Sequence, residues 1–206
     1  IYYILFAVMM LCIACEIKLK PNDNAQNKIE VVRYDRLQSR YLTTGDFSAL
    51  QEMNTEYAIE TRTLIENVLK LGAVYEPDIN SRFLNFYQDT LLQTVISAAE
   101  TQYANMEDIN KSFTNAFSKA KKTLPGFIVP KIYTQIGAFD QSIIVGNGTI
   151  GVSLDKYMGE DYALYKRFYT PEQTKTMYRG YIVPDALSFY LLAQYSLDNY
   201  DTRSQM

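Results

Sequence analysis

The run Leu154-Asp-Lys-Tyr-Met-Gly159 holds the first candidates for chemistry: Asp155 as an acid, Tyr157 as a hydroxyl donor and Gly159 as a turn residue. With Glu160 and Asp161 close behind, Asp155 has the residue types for a carboxylate pair or for oxygen ligation of Ca²⁺, although the spacing matches no EF-hand loop. A short acid at the end of an apolar strand more often accepts backbone N–H groups where the chain turns, and its acidic neighbours are more often solvated. Asp155, Tyr157 and Gly159 are therefore read as a structural motif, with a functional role as the alternative. Asp155 caps the turn, and Gly159 closes it in a conformation that residues with a Cβ adopt reluctantly.

Other patterns are weaker. Ser118-Lys-Ala-Lys121 and Ser153-Leu-Asp-Lys156 both spell the Ser-x-x-Lys of penicillin-recognising enzymes, but no Lys-Thr-Gly strand follows either. Gly146-Asn-Gly-Thr-Ile-Gly151 spells a dinucleotide fingerprint, yet that motif needs a helix at its third glycine, and β-type residues follow here. Asn147-Gly148 reads instead as a hairpin turn. The chain has no histidine, which removes Ser-His-Asp and Cys-His machinery and His-ligated zinc. A net charge of -3 argues against a phosphate-tracking surface. No catalytic residue, metal ligand, cofactor, nucleotide or nucleic-acid partner is assigned. The 18 tyrosines, scattered at helical spacing, read as amphipathic packing residues rather than as sugar-stacking platforms.

The elements that must position these residues fall into three stretches. Residues 1–15 form an almost unbroken apolar run ending at Cys15, too short for a span of about 20 residues and suited to a signal-peptide core. Ile13-Ala14-Cys15 has the form of a lipobox, so Cys15 is the expected acylation site. The other cysteine, Cys12, would be discarded with the leader, leaving a body without thiols, as suits an oxidising compartment. The start at Ile1 without a cationic segment fits an N-terminal truncation. Residues 16–28 read as a polar tether.

Residues 29–206 read as a single α+β domain, mainly helical with a small antiparallel hairpin or sheet. Ile29 to Tyr34 is β-type. Phe47, Leu50, Met53, Tyr57, Thr61, Leu64, Val68 and Leu71 then predict one long helix, with Asp46 as N-cap and Gly72 as stop. Pro77-Asp78 opens a second helix with Phe83, Leu84 and Tyr87 inward. Two more cover Thr90 to Tyr103 and Glu107 to Lys122. Short strands follow at Ile132 to Ile136, Ser142 to Val145 and Thr149 to Leu154. Pro184 opens a last helix, with Asp185 complementing the dipole and Leu187, Leu191 and Tyr195 on one face.

Several segments together resemble the gliding-motility lipoprotein GldB family of the Bacteroidetes: the lipobox-like start, Val32-Arg33-Tyr34-Asp35-Arg36-Leu37, the helical middle, Pro130-Lys-Ile-Tyr133, and Ile150-Gly-Val-Ser-Leu-Asp155-Lys-Tyr157-Met-Gly159 with Tyr165 beyond. The resemblance implies a non-catalytic envelope lipoprotein, held to outer-membrane lipid through Cys15 and acting as an assembly factor on an envelope protein partner. It also implies a distant zincin-like fold in which Pro184 to Tyr190 stands where a His-Glu-x-x-His helix would lie. That segment has no ligand pair, as in an inactive relative. The alternative is a metal-dependent, peptidase-like hydrolase whose ligands lie beyond Met206, since members of this family continue past that point.

In a bacterium with lipoprotein processing, the full precursor should be cut before Cys15 and take up labelled fatty acid, and Cys15→Ala should do neither. An intact N-terminus on the processed wild type would remove the anchor.

Overall fold

The computed structural model describes residues 28–195. The export segment with Cys15, the tether except Lys28, and the chain end at Met206 lie outside the described residues. Among those described, no helix is long and apolar enough to cross a membrane.

Helix boundaries follow local chemistry. Helix α1 (Tyr34–Thr44) stops where Gly45 takes φ +70°, its N–H donating to the Tyr41 carbonyl. The Asp46 carboxylate accepts from the Ser48 N–H and starts α2 (Phe47–Thr55). The single long helix expected from Asp46 to Gly72 is instead broken after Thr55. It restarts as α3 (Ala58–Arg62) and runs into a π-helical turn, Thr63–Val68. Thr61 accounts for the break: its hydroxyl donates to the Met53 carbonyl at 2.7 Å and meets the Tyr34 hydroxyl at 3.0 Å. A side chain thus takes up a carbonyl that a continuing helix would have used. Gly72 is not the stop, because Lys70 already turns to φ 53°. Ala49, Leu50, Met53, Leu64, Ile65 and Val68 face inward, whereas Phe47 is 76% exposed.

Helices α4 (Ile79–Phe86), α5 (Thr90–Gln102) and α6 (Glu107–Thr123) lie close to their predicted ranges. The Asp89 carboxylate caps α5 by accepting from the N–H groups of Leu91 and Leu92. Acids at Glu107 and Asp108 and bases at Lys121 and Lys122 complement the dipole of α6.

The sheet has the strand order β1 (Lys131–Gln135), β3 (Thr149–Ser153), β2 (Ile143–Gly146). Strands β2 and β3 form the predicted hairpin, with Asn147 and Gly148 both at positive φ, 51° and 72°, as a type I′ turn requires. The sheet is mixed rather than purely antiparallel, because β3 enters between β2 and β1 and pairs parallel with β1, Gly151 opposite Tyr133. Ile29 to Tyr34 contributes only a bridge at Val32. Its N–H donates to the Ile132 carbonyl and its carbonyl accepts from the Thr134 N–H before α1 begins. Helix α7 (Pro171–Thr174) is a single turn held by a capping box between Thr170 and Gln173. In α8 (Ile182–Gln194) the inward residues are Ile182, Ala186 and Tyr190. Of the expected face, Leu187 and Leu191 are partly buried against the core at the edge of this inner row, and Tyr195 is exposed. The whole is an α+β body, mainly helical, as predicted.

Gly151 sits in β3 because a Cβ there would lie 2.5 Å from the Tyr133 hydroxyl oxygen and 2.6 Å from the ring carbon bearing it. Gly151→Ala must displace a buried ring and should cost about 1–3 kcal/mol, read as a lower urea midpoint of the soluble form beginning at Glu16. An unchanged midpoint would mean that Tyr133 yields freely.

Candidate functional site

Strand β3 leads directly into a short 3-10 turn, Leu154–Lys156, at the centre of the molecule. Asp155 in this turn is wholly buried. Its Oδ1 accepts from the Gly137 N–H at 2.7 Å and its Oδ2 from the Phe139 N–H at 2.5 Å. The N–H groups it binds therefore belong to the loop after β1, rather than to its own turn. In that loop Ala138 and Phe139 both adopt positive φ, 53° and 64°, a conformation that costs a residue with a Cβ about 1–2 kcal/mol. Burial pushes the Asp155 carboxyl above its ordinary value, and the Gly137 and Phe139 N–H groups oppose that rise. The Asp155 carbonyl accepts from the Tyr165 hydroxyl at 2.7 Å, whose oxygen accepts in turn from the Met158 N–H.

The three acids of the motif region do not converge. Glu160 and Asp161 are exposed, and among the described residues no three His, Cys, Asp or Glu side chains cluster as metal ligands. Gly159, at φ +118°, lies past the turn and donates its N–H to the Met177 carbonyl. Ser153 is buried with its hydroxyl accepting from the Gln135 amide, while Lys156 bonds elsewhere, so the two do not act as a pair. Ser118-Lys-Ala-Lys121 lies along α6.

Tyr157 and Lys156 reach a different feature, a small polar cavity of about 180 Å³ between this turn and the start of α8. The Tyr157 hydroxyl donates to Asp185 Oδ2 at 2.8 Å. Lys156 Nζ donates to the Tyr169 hydroxyl at 2.8 Å and to the Phe139 carbonyl at 3.3 Å, and lies 4.3 Å from the Tyr169 ring centre. The Tyr169 hydroxyl donates its own proton to the Phe139 carbonyl at 2.6 Å. Burial lowers the proton affinity of Lys156, against the pull of the Asp155 and Asp140 carboxylates. Burial also raises that of Asp185, opposed by the hydrogen bond from Tyr157. Burial, followed by the same two carboxylates, pushes the Tyr169 hydroxyl up to about 12.

The sequence pointed to Tyr157 but missed Lys156, Tyr169 and Asp185 as its companions. Asp185 carried only a dipole signal, and nothing local joins it to a tyrosine 28 residues earlier.

The Val32 to Leu37 segment connects to the same place. Arg33 binds Asp35 through two nitrogens, at 2.8 and 2.7 Å, and donates to the Tyr103 carbonyl at 2.7 Å. Arg36 donates to the Glu100 carbonyl at 2.9 Å, so two cations meet the C-terminal carbonyls of α5. The Tyr103 hydroxyl then donates to the Tyr157 carbonyl at 2.5 Å.

Asp155→Ala should leave two buried N–H groups without an acceptor, each worth about 1–3 kcal/mol, so a total loss of roughly 2–6 kcal/mol is expected in urea denaturation. Asp155→Asn keeps one carbonyl oxygen but turns an NH₂ on the other N–H, and should fall between alanine and wild type. The folded carboxyl titrates above its unfolded value near 3.8. Its ionisation therefore removes stability as pH rises from that value through the folded one, and the deficit of Asp155→Asn should shrink over the same window. A pH-independent deficit would contradict the raised titration.

No curated protein and no solved structure matches the chain. The zincin-like expectation thus gains no support, and in Pro184 to Tyr190 the acid Asp185 is engaged by Tyr157. Residues 16–206 match the family model described as gliding motility protein GldB, a lipoprotein family whose membership supports association with the cell envelope. With residues 16–206 of 206 matched, the chain belongs to the GldB family.

Proposed function

We propose that this protein is a non-catalytic lipoprotein, anchored to the outer membrane through acylated Cys15, that works by docking an envelope protein partner during assembly of the motility apparatus. The carrying observation is helix α8. Its sequence, Ile-Val-Pro-Asp-Ala-Leu-Ser-Phe-Tyr-Leu-Leu-Ala-Gln, has no charged residue after Asp185. A helix that is apolar all round is normally covered all round. Yet Phe189 is 49% exposed and Leu192 38%, with Tyr195 exposed beyond them. The Tyr190 hydroxyl on the inner face donates to the Ile128 carbonyl at 2.8 Å, and Ile128 and Val129 are exposed as well. Apolar side chains left exposed a turn apart, as Phe189 and Leu192 are, are characteristic of protein-docking surfaces. The motif residues support a holding role: Asp155, Tyr157 and Tyr165 each spend their polar groups on internal bonds.

The double variant Phe189→Asp with Leu192→Asp removes side chains that are 49% and 38% exposed and should cost about 1–2 kcal/mol per site, which urea denaturation of the purified protein checks before gliding is scored. In a gliding species it should accumulate normally, lose gliding, and lose the cross-link that a photoreactive residue at Ser188 makes in the wild type. Normal gliding by the folded double variant would overturn the docking reading.

A further inference from the structure

Beyond partner docking, the cavity beside the Asp155 turn has the character of a ligand site. We infer that it binds a small zwitterion of the amino-acid class, with the ligand carboxylate at Lys156 and its ammonium at Asp185.

Both charges are half-buried and both line the one cavity. Among the described residues, no carboxylate lies within 4.0 Å of Lys156 Nζ and no cation within that distance of Asp185, so they pair neither with each other nor with a neighbour. Charges withdrawn from water are ordinarily paired. Each of these also has unused capacity. Lys156 spends two of its three donors, on Tyr169 and Phe139. Asp185 takes a hydrogen bond from Tyr157 on Oδ2, and among the described residues Oδ1 receives none. Gln173, whose Oε1 is used by the Thr170 N–H, keeps its NH₂ for the cavity, and Ser142 and Thr176 add hydroxyls.

The pattern of signs decides the ligand. A simple anion attracted by Lys156 would meet Asp185, and a metal cation drawn to Asp185 would meet Lys156. An uncharged ligand would displace water from both without replacing it. A molecule carrying both signs satisfies each group at once, which is discrimination by repulsion of the alternatives as much as by attraction. Size is compatible with this class: at about 30 Å³ per water, 180 Å³ holds about six waters, room enough for a small amino acid. Burial moves both groups toward neutrality, Lys156 against the pull of the Asp155 and Asp140 carboxylates, which stay beyond ion-pairing distance.

The test is calorimetric titration of the full chain in detergent micelles with glycine and L-alanine, beside N-acetylalanine, which lacks the cation, and alaninamide, which lacks the anion. The two amino acids should bind, and the two blocked forms should bind at least about tenfold more weakly. Asp185→Asn keeps an oxygen for the Tyr157 hydroxyl and so keeps the local fold. It should bind alanine no better than N-acetylalanine. Lys156→Gln should likewise lose its preference for alanine over alaninamide. Absence of binding by either amino acid up to about 10 mM would overturn the proposal. So would blocked forms that bind as well as alanine, or an Asp185→Asn variant that still discriminates.

Discussion

Two hydrogen bonds to one buried carboxylate set the geometry on which the central part of this molecule rests. Asp155, on the exit of β3, holds the N–H groups of Gly137 and Phe139, on the exit of β1. Without an acceptor there, two consecutive residues with side chains would have no reason to stay at positive φ. The loop so fixed presents the Phe139 carbonyl, which accepts from both Tyr169 and Lys156 and thereby builds one wall of the polar cavity. It also seats the Phe139 ring against Tyr165 and Phe168. One residue earlier, Gln38 and Tyr87 hold the Ile136 peptide from the other side. Burying a charge is costly, and two bonds from backbone donors offset part of that cost, where a neutral side chain would satisfy only part of the loop.

Much of this was legible because local rules act over a few residues. Asp46 as a cap and Asn147-Gly148 as a hairpin turn behave as the sequence predicts, and the same local rules account for Gly45 as a left-handed stop and Asp89 as a cap, neither of which was predicted. What escaped depends on distant partners. The break after Thr55 follows from Thr61 meeting Tyr34, and apolar periodicity runs through that break unchanged. Insertion of β3 between β1 and β2 leaves no trace in the strands, which carry the same β-branched residues whichever way they pair. For the site, Asp155 was readable as an acceptor of backbone N–H groups. Its donors lie 16 and 18 residues upstream, and no short pattern names them.

The abundance of tyrosine acquires a specific meaning in this light. Hydroxyls of Tyr41, Tyr87, Tyr103, Tyr165, Tyr169 and Tyr190 donate to backbone carbonyls of Asn80, Ile136, Tyr157, Asp155, Phe139 and Ile128. Except for Asn80, in the first turn of α4, these carbonyls lie outside the strands and α-helices, where ladder partners are lacking. A three-stranded sheet satisfies few of them, and a body with long irregular connections between Pro125 and Ile182 must satisfy the rest by other means. Tyrosine supplies apolar ring surface for the core and a hydroxyl at its far end for the carbonyl. Reading the tyrosines as packing residues was correct for the rings and incomplete for the hydroxyls.

Helix α8 shows how the inner bonds determine what the outer surface offers. Its first turn is tied by Asp185 to Tyr157, and its middle by Tyr190 to Ile128, with the Tyr190 ring edge-on to Phe117 and Phe127. Two ties, at positions five residues apart, fix rotation about the helix axis as well as position along it. With Ile182, Ala186 and Tyr190 turned inward, Phe189 and Leu192 must point away from the core. The exposed apolar row is therefore a consequence of a fully engaged inner face, not of a loosely packed helix. Asp185 and Phe189 are separated by about 6 Å of helix rise. The cavity and the outer row are thus held by one rigid element, and each can be altered without repacking the other.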